Sequence, residues 1–250
     1  GERNTAMGVQ SLYTNTTGSF NSAFGRTALY YNTTGQQNVA NGQDALFSNT
    51  TGSYNVAIGK SALETNTTAS NNTAVGYQAG HANTGDKNTF VGKEAGVANT
   101  SGRLNTMLGQ KAGKSNTTAS SNTFVGQASG ETNTTGQYNT ALGDQSLVFN
   151  TTASYNTAVG YQSLYTNVTG NALSALGFEA LKLNTGSNNS AVGFKALATN
   201  SSGSTNTAMG DRALFSNTTA SSNTAVGYQA LLTNTTGTEN VAMGAYSLDT

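Results

Sequence analysis

The chain has 250 residues, with 11 basic and 11 acidic side chains, a formal net charge of zero, and no Pro, Trp or Cys. With 9% of residues charged and the signs balanced, there is no basic field to attract nucleic acid, and without Cys there is no disulfide framework or thiol chemistry. No apolar run is long enough to span a bilayer, so membrane insertion of this segment is not expected.

Asn, Thr, Gly, Ser and Ala dominate the chain. Such polarity can mean disorder, but disordered chains carry high net charge and lack regular apolar positions. Here apolar columns run throughout, so the chain is expected to fold by repetition. Aligned on Asn-Thr-Ala-Val-Gly, repeats start at Asn4, Asn21, Asn38, Asn55, Asn72, Asn88, Asn105, Asn122, Asn139, Asn156, Leu173, Asn189, Asn206, Asn223 and Asn240. The spacing is 17 residues, except after Asn72 and Leu173, where it is 16. A short fixed period is the mark of a solenoid, whose units bury their apolar faces only against their neighbours. The whole chain, residues 1–250, reads as one such array, about fifteen coils forming a shaft on the order of 70 Å at ~4.8 Å per coil. It opens at Gly1 inside the repeat with no signal peptide, so it is expected to be a piece of a longer fibre protein.

Within each repeat, with the first Asn as position 0, position 4 is Gly throughout, from Gly8 to Gly244, and position 11 is Asn from Asn15 to Asn234. Gly and Asn most easily take left-handed backbone angles, so both columns are expected at corners. Both 16-residue repeats keep the Asn at position 11, which makes the following stretch, usually Asn-Thr-Thr-Gly-Ser, the loop. Positions 1 to 4 and 6 to 10 are then expected to be short strands, since the density of Gly, Asn and Thr and the lack of a 3.6-residue period argue against helix.

Side-chain volume gives the packing. Position 2 is Ala in twelve repeats and large only in Phe90, Met107 and Phe124, while position 8 is Gly only in Gly80, Gly96, Gly113 and Gly130. The three large residues fall between the four glycines, so positions 2 and 8 are expected to share one close-packed layer. Position 3, apolar in every repeat but for Asn41, and position 7, always Ala or Ser, are expected to form a second layer. Strand neighbours point to opposite faces, so one layer is the coil interior and the other a surface covered by partner chains. The expected partner is another copy of the chain. The charges agree with this scheme: beyond Glu2 and Arg3, they lie at positions 5, 6 and 9 or, for Asp86, Lys87, Arg103 and Glu239, in the loop.

No catalytic, cofactor or metal site is expected. His81 is the only His and falls in a variable column, and the acids follow no column, unlike the repeated Asp of calcium-binding β-rolls. An enzyme is therefore not the expected reading. Twelve of the fourteen Asn at position 11 begin an Asn-X-Ser/Thr sequon that can carry glycans in a eukaryotic secretory context. The same residue recurs at Asn83 and Asn184, where no sequon exists, which favours a ladder of Asn side chains bonding the turn backbone. Tyr13, Tyr30 and Phe47 occupy position 9 of successive repeats, and Tyr161, Phe178 and Phe194 occupy position 5. Each trio is expected to form a ring ladder that stabilises the sheet or contacts a sugar or partner surface. Thr recurs at positions 1, 12 and 13, and a flat Thr array can bind ice, but positions 12 and 13 are adjacent in the loop that absorbs deletions.

The runs Asn72 to Gln78, Asn156 to Gln162 and Asn223 to Gln229 all read NTAVGYQ and, with the Asn-Thr-Thr-Gly that recurs through the array, resemble the repeat arrays of bacteriophage tail-fibre proteins. Asn55 to Gly59, NVAIG, is similar to the head repeats of YadA-like trimeric autotransporter adhesins. The resemblance spans Asn4 to Leu248 and implies a left-handed parallel β-roll, an all-β β-solenoid, assembled as a homotrimer. It departs from the adhesins in its longer coil and in having no coiled-coil stalk, membrane anchor or chaperone domain within these residues. The expected role is a structural fibre segment of an extracellular, cell-surface or virion attachment appendage that contacts a host-surface glycan or protein. A passive spacer rod and an ice-binding solenoid are the alternatives.

Overall fold

The computed structural model of the protein describes residues 1–249, and its chain divides into two compact units. The first, Gly1–Asn122, holds β1 (Thr5–Met7), β2 (Ser22–Phe24), β3 (Val39–Asn41), β4 (Val56–Ile58), β5 (Thr73–Val75), β6 (Thr89–Val91) and β7 (Thr106–Leu108). The second, Thr123–Thr250, holds β8 (Thr123–Val125), β9 (Thr140–Leu142), β10 (Thr157–Val159), β11 (Ser174–Leu176), β12 (Ser190–Val192), β13 (Thr207–Met209), β14 (Thr224–Val226) and β15 (Val241–Met243). Within each unit every strand pairs in parallel with the next, like position on like position, as in Thr73↔Thr89 and Ala158↔Ala175. The fold is an all-β solenoid of coils about 17 residues long, and among the described residues there is no helix.

The strands cover only positions 1 to 3, and positions 6 to 10, expected as strand, form a turn instead. The residues at position 6 (Thr27, φ 58°; Gln162, φ 51°) and position 8 (Leu29, φ 53°; Leu164, φ 50°) are left-handed, as is the residue just before each repeat (Phe20, φ 61°; Tyr155, φ 62°). Each such angle costs a non-glycine residue about 1–2 kcal/mol. What it achieves is hydrogen bonding to both neighbouring coils: the Thr27 N–H donates back to Val9 (2.9 Å) and the Leu29 N–H forward to Ala45 (3.0 Å). Complete burial of a Leu side chain at position 8, as at Leu29 and Leu164, adds about 2 kcal/mol, which offsets the strain at that residue.

Gly at position 4 meets two demands. Its φ lies near 118–143°, and a Cβ on Gly42 would stand 2.5 Å from the Gly59 carbonyl oxygen of the next coil. The Asn at position 11, expected at a left-handed corner, has no positive φ; its side chain, not its backbone, fixes the turn.

The interior combines position 2 (Ala23, Phe90, Met107, Phe124), position 8 (Leu29, Leu46, Leu147) and position 7 (Ala28, Ala45, Ser146), all fully buried. Positions 2 and 8 therefore share a layer, as the volume exchange predicted. Position 7 belongs to it too, so the expected pairing of positions 3 and 7 in a second layer is corrected. The left-handed residues on either side of position 7 break strand alternation, and two successive side chains point inward.

Beside this apolar layer runs a polar spine. Except in the end coils, Asn at position 0 and Asn at position 11 are buried, and their amides converge on the carbonyl of position 14: Asn21 (2.9 Å) and Asn32 (3.0 Å) meet at Gly35. The position 11 amides also bond one another, Asn32 to Asn15 (2.9 Å) and Asn49 to Asn32 (2.8 Å), while the Oδ1 of each position 0 Asn accepts the backbone N–H of the next, as from Asn38 to Asn21 (3.0 Å). Buried amides need such partners, since an unmatched buried polar group costs about 1–3 kcal/mol.

Candidate functional surface

Strand alternation sends positions 1 and 3 outward. Position 3 is apolar yet solvent-exposed in the single chain: Leu176 is 50% exposed, Met209 49% and Ile58 39%, with Val75, Val159 and Val226 half-buried. Position 1 beside it is mostly Thr or Ser. In the second unit Tyr161, Phe178 and Phe194 at position 5, two residues after Val159, Leu176 and Val192, are exposed as well.

The sequence brought both aromatic trios together correctly in space. Tyr13 stacks on Tyr30 at 5.4 Å and 12°, Tyr30 on Phe47 at 5.4 Å and 25°, and Tyr31 meets Tyr30 and Phe47 edge-on at 4.7 and 5.1 Å. Tyr161 stacks on Phe178 at 5.3 Å and 23°, and Phe178 on Phe194 at 5.3 Å and 14°. Lys195 lies 5.4 Å and Arg212 5.5 Å from the Phe194 centroid. Because the rings stack along the coil axis, the middle ring of each trio has both faces covered, and only ring edges meet solvent. A sugar packed flat on an aromatic ring needs a free face, which the middle rings lack and which at Phe194 is shared with the Lys195 and Arg212 cations. A third stack, Tyr138 on Tyr155 at 5.2 Å and 9°, lies at the left-handed residue before each repeat. Sequence reading missed it, although the 17-residue interval is the same.

The charged groups pair both between coils and within them. Glu94 binds Lys114 at 2.9 Å, and this hydrogen bond, aided by Lys93 and Lys111, holds its carboxyl below the usual carboxylate range against partial desolvation. Glu179 binds Lys182 at 2.7 Å and Lys195 at 3.3 Å; burial pushes its pKa up, and the two lysines together pull it further down. His81 Nε2 lies 3.4 Å from Glu64, both side chains about a third exposed. Among the described residues no three His, Cys, Asp or Glu gather as a metal site, and no helix is long and apolar enough to cross a membrane. Small notches among the described residues include one of about 190 Å³ beside Leu231, Asn234, Asn240 and Leu248 and one of about 170 Å³ beside Asp86, Lys87, Arg103 and Leu104. Both are below the ~300 Å³ of ordinary small-molecule sites.

The Thr columns do not form one lattice. Position 1 lies on the strands, and position 12 turns its hydroxyl to the next coil's carbonyl, as from Thr33 to Thr50 (3.1 Å), leaving position 13 exposed in the loop. The sequon Asn of position 11 belong to the ladder already described, as the Asn83 and Asn184 positions implied. Compared with known proteins, the chain matches no family model and no curated sequence.

Proposed function

We propose that the chain is a structural fibre segment of an extracellular or virion attachment appendage, assembled as a parallel homotrimer and without enzymatic activity. The observation that supports this reading is the exposed apolar column at position 3. Soluble monomers rarely leave contiguous apolar surface of more than a few hundred Å² uncovered. A column that repeats once per coil is best matched by a surface with the same repeat, and another copy lying in register provides one, like rung against like rung. Asn41 then forms one polar ring in an otherwise apolar seam, its amides bonding one another.

The test is the mass of the folded chain by sedimentation equilibrium, alone and with Val159→Asp plus Leu176→Asp. A trimer that falls to monomer in the variant, with strand circular dichroism retained, supports the proposal. A folded wild-type monomer refutes it and leaves the passive spacer; thermal hysteresis in that monomer identifies the ice-binding alternative.

A further inference from the structure

Two sequons outside the ladder column are exposed. Asn71-Asn72-Thr73 and Asn188-Asn189-Ser190 each begin at the left-handed residue before a repeat, with φ of 61° at Asn71 and 60° at Asn188. In both, the first Asn is exposed, the middle Asn is buried in the position 0 ladder, and the hydroxyl residue is the outward first residue of a strand, β5 or β12. The acceptor amide and its hydroxyl thus lie on one accessible side of the chain.

Ten of the twelve sequon Asn in the position 11 column are placed in the opposite way, fully buried, while Asn15 and Asn234 in the end coils are part-buried. Asn49 is fully buried, and its Nδ2 donates one hydrogen to Asn32 Oδ1 (2.8 Å) and the other to the Gly52 carbonyl (3.0 Å). Asn116 does the same with Asn99 (2.6 Å) and Ala119 (3.1 Å), and Asn150 with Asn133 (2.7 Å) and Ala153 (3.0 Å). Both hydrogens of these amides are therefore committed.

We propose that the folded chain is an acceptor for N-linked glycans at Asn71 and Asn188 and not at the ten buried sequon Asn of the position 11 column, where glycan attachment and folding exclude each other. In the transfer, Asn Nδ2 bonds to C1 of a sugar carried on a lipid pyrophosphate. The C1–O bond to phosphate breaks, the amide loses one hydrogen as a proton, and the lipid pyrophosphate leaves. At Asn71 or Asn188 the new sugar projects into solvent. At Asn49 or Asn116 the lost hydrogen deletes a ladder bond, and the sugar has to occupy a closed interior. The fold then forms only where the unfolded chain is not exposed to such a transferase, or where folding comes first.

The test is to incubate the folded full chain, and an aliquot unfolded in urea, with an oligosaccharyltransferase and its lipid-linked donor, and to map occupied sites by mass spectrometry. In the folded chain, occupancy at Asn71 and Asn188 should exceed that at Asn32, Asn49, Asn116 and Asn217 by at least an order of magnitude. In the unfolded aliquot the ladder Asn should be occupied as well, and that material should not regain strand circular dichroism on removal of urea, whereas mock-treated chain should. Equal occupancy of the ladder Asn in the folded chain, empty Asn71 and Asn188, or recovery of the fold by chain glycosylated at the ladder would each overturn the proposal.

Discussion

Phe124 and Gly130 occupy one another's volume: a Cβ on Gly130 would stand 2.7 Å from Cδ2 of the Phe124 ring, which is fully buried. Position 2 is Ala except at Phe90, Met107 and Phe124, and position 8 is Leu except at Gly80, Gly96, Gly113 and Gly130, so the pair is a size exchange within one layer. Phe124→Ala should cost about 3–5 kcal/mol, the usual loss for a buried ring. Adding Gly130→Leu should recover part of it, because Leu takes the same left-handed angle at this position in other coils, such as Leu147 at 54° against 59° for Gly130. Urea unfolding of the single and double variants measures both steps, and a double variant no more stable than the single would show that the exchange is not volumetric.

The two short coils treat the polar spine differently. One residue is missing from the coil that starts at Asn72, and the Gly85 carbonyl there accepts from Asn83 (2.8 Å) and Asn88 (3.2 Å). Asn72 Nδ2 and Asn66 Oδ1 are left buried without partners. The other short coil starts with Leu173, also buried, and so has no amide there to strand. Asn72→Leu should therefore change stability by no more than about 1 kcal/mol, since it removes an unmatched donor but also the acceptor of the Asn88 N–H (2.9 Å). Asn55→Leu should cost about 2–3 kcal/mol, because that amide donates to Ala69 (2.9 Å) and accepts from Asn72 (3.0 Å). Chemical unfolding of the two variants side by side gives the comparison, and equal losses would remove this account of Leu173.

The solenoid was legible because its columns are set by local necessities. Gly42 sits where the next coil's backbone leaves no room for a Cβ, and Phe124 needs a gap of its own size. The outward placement of position 3, opposite the buried position 2 on each strand, was legible from strand alternation, but the inward turn of both Ala28 and Leu29 was not. It depends on left-handed angles at Thr27 and Leu29, residue types with no preference for them, imposed by hydrogen bonds to the coils on either side. The aromatic trios were legible from spacing alone, whereas the direction of their stacking, which hides the ring faces, follows from rotamers that spacing does not encode.

Phe178 stacks on Tyr161 and Phe194, both at 5.3 Å. Each aromatic pair contributes about 0.5–1.5 kcal/mol beyond its buried area, so Phe178→Ala should destabilise the second unit by about 1–3 kcal/mol. Phe178→Leu should restore much of the area but not the stacking. If the ladder serves stability, glycan-array binding is unchanged in both variants while their melting temperatures fall; loss of a measured glycan signal with unchanged melting would assign the ladder to ligand contact instead.

Acid should weaken the fold through its few paired carboxylates. Glu94 is held below its ordinary pKa first by its Lys114 hydrogen bond. For Glu179 burial acts upward, but Lys182 and Lys195 prevail; for Asp44 burial also acts upward, but bonds from Thr27 (2.5 Å) and Gln43 (2.8 Å), with Arg26 and Lys60 nearby, prevail. A carboxylate whose pKa is lower in the folded state adds stability that is fully present above its unfolded pKa, about 4.3 for Glu and 3.9 for Asp, and that is lost as pH falls through the folded value. Stability should therefore be level from neutral pH to about 5 and decline below about 4. Glu94→Gln with Glu179→Gln removes two of the three groups, which lie in different units and should act additively. Urea midpoints at pH 7, 5, 4 and 3 should fall less steeply in the double variant than in the wild type; parallel acid limbs would place the acid response elsewhere.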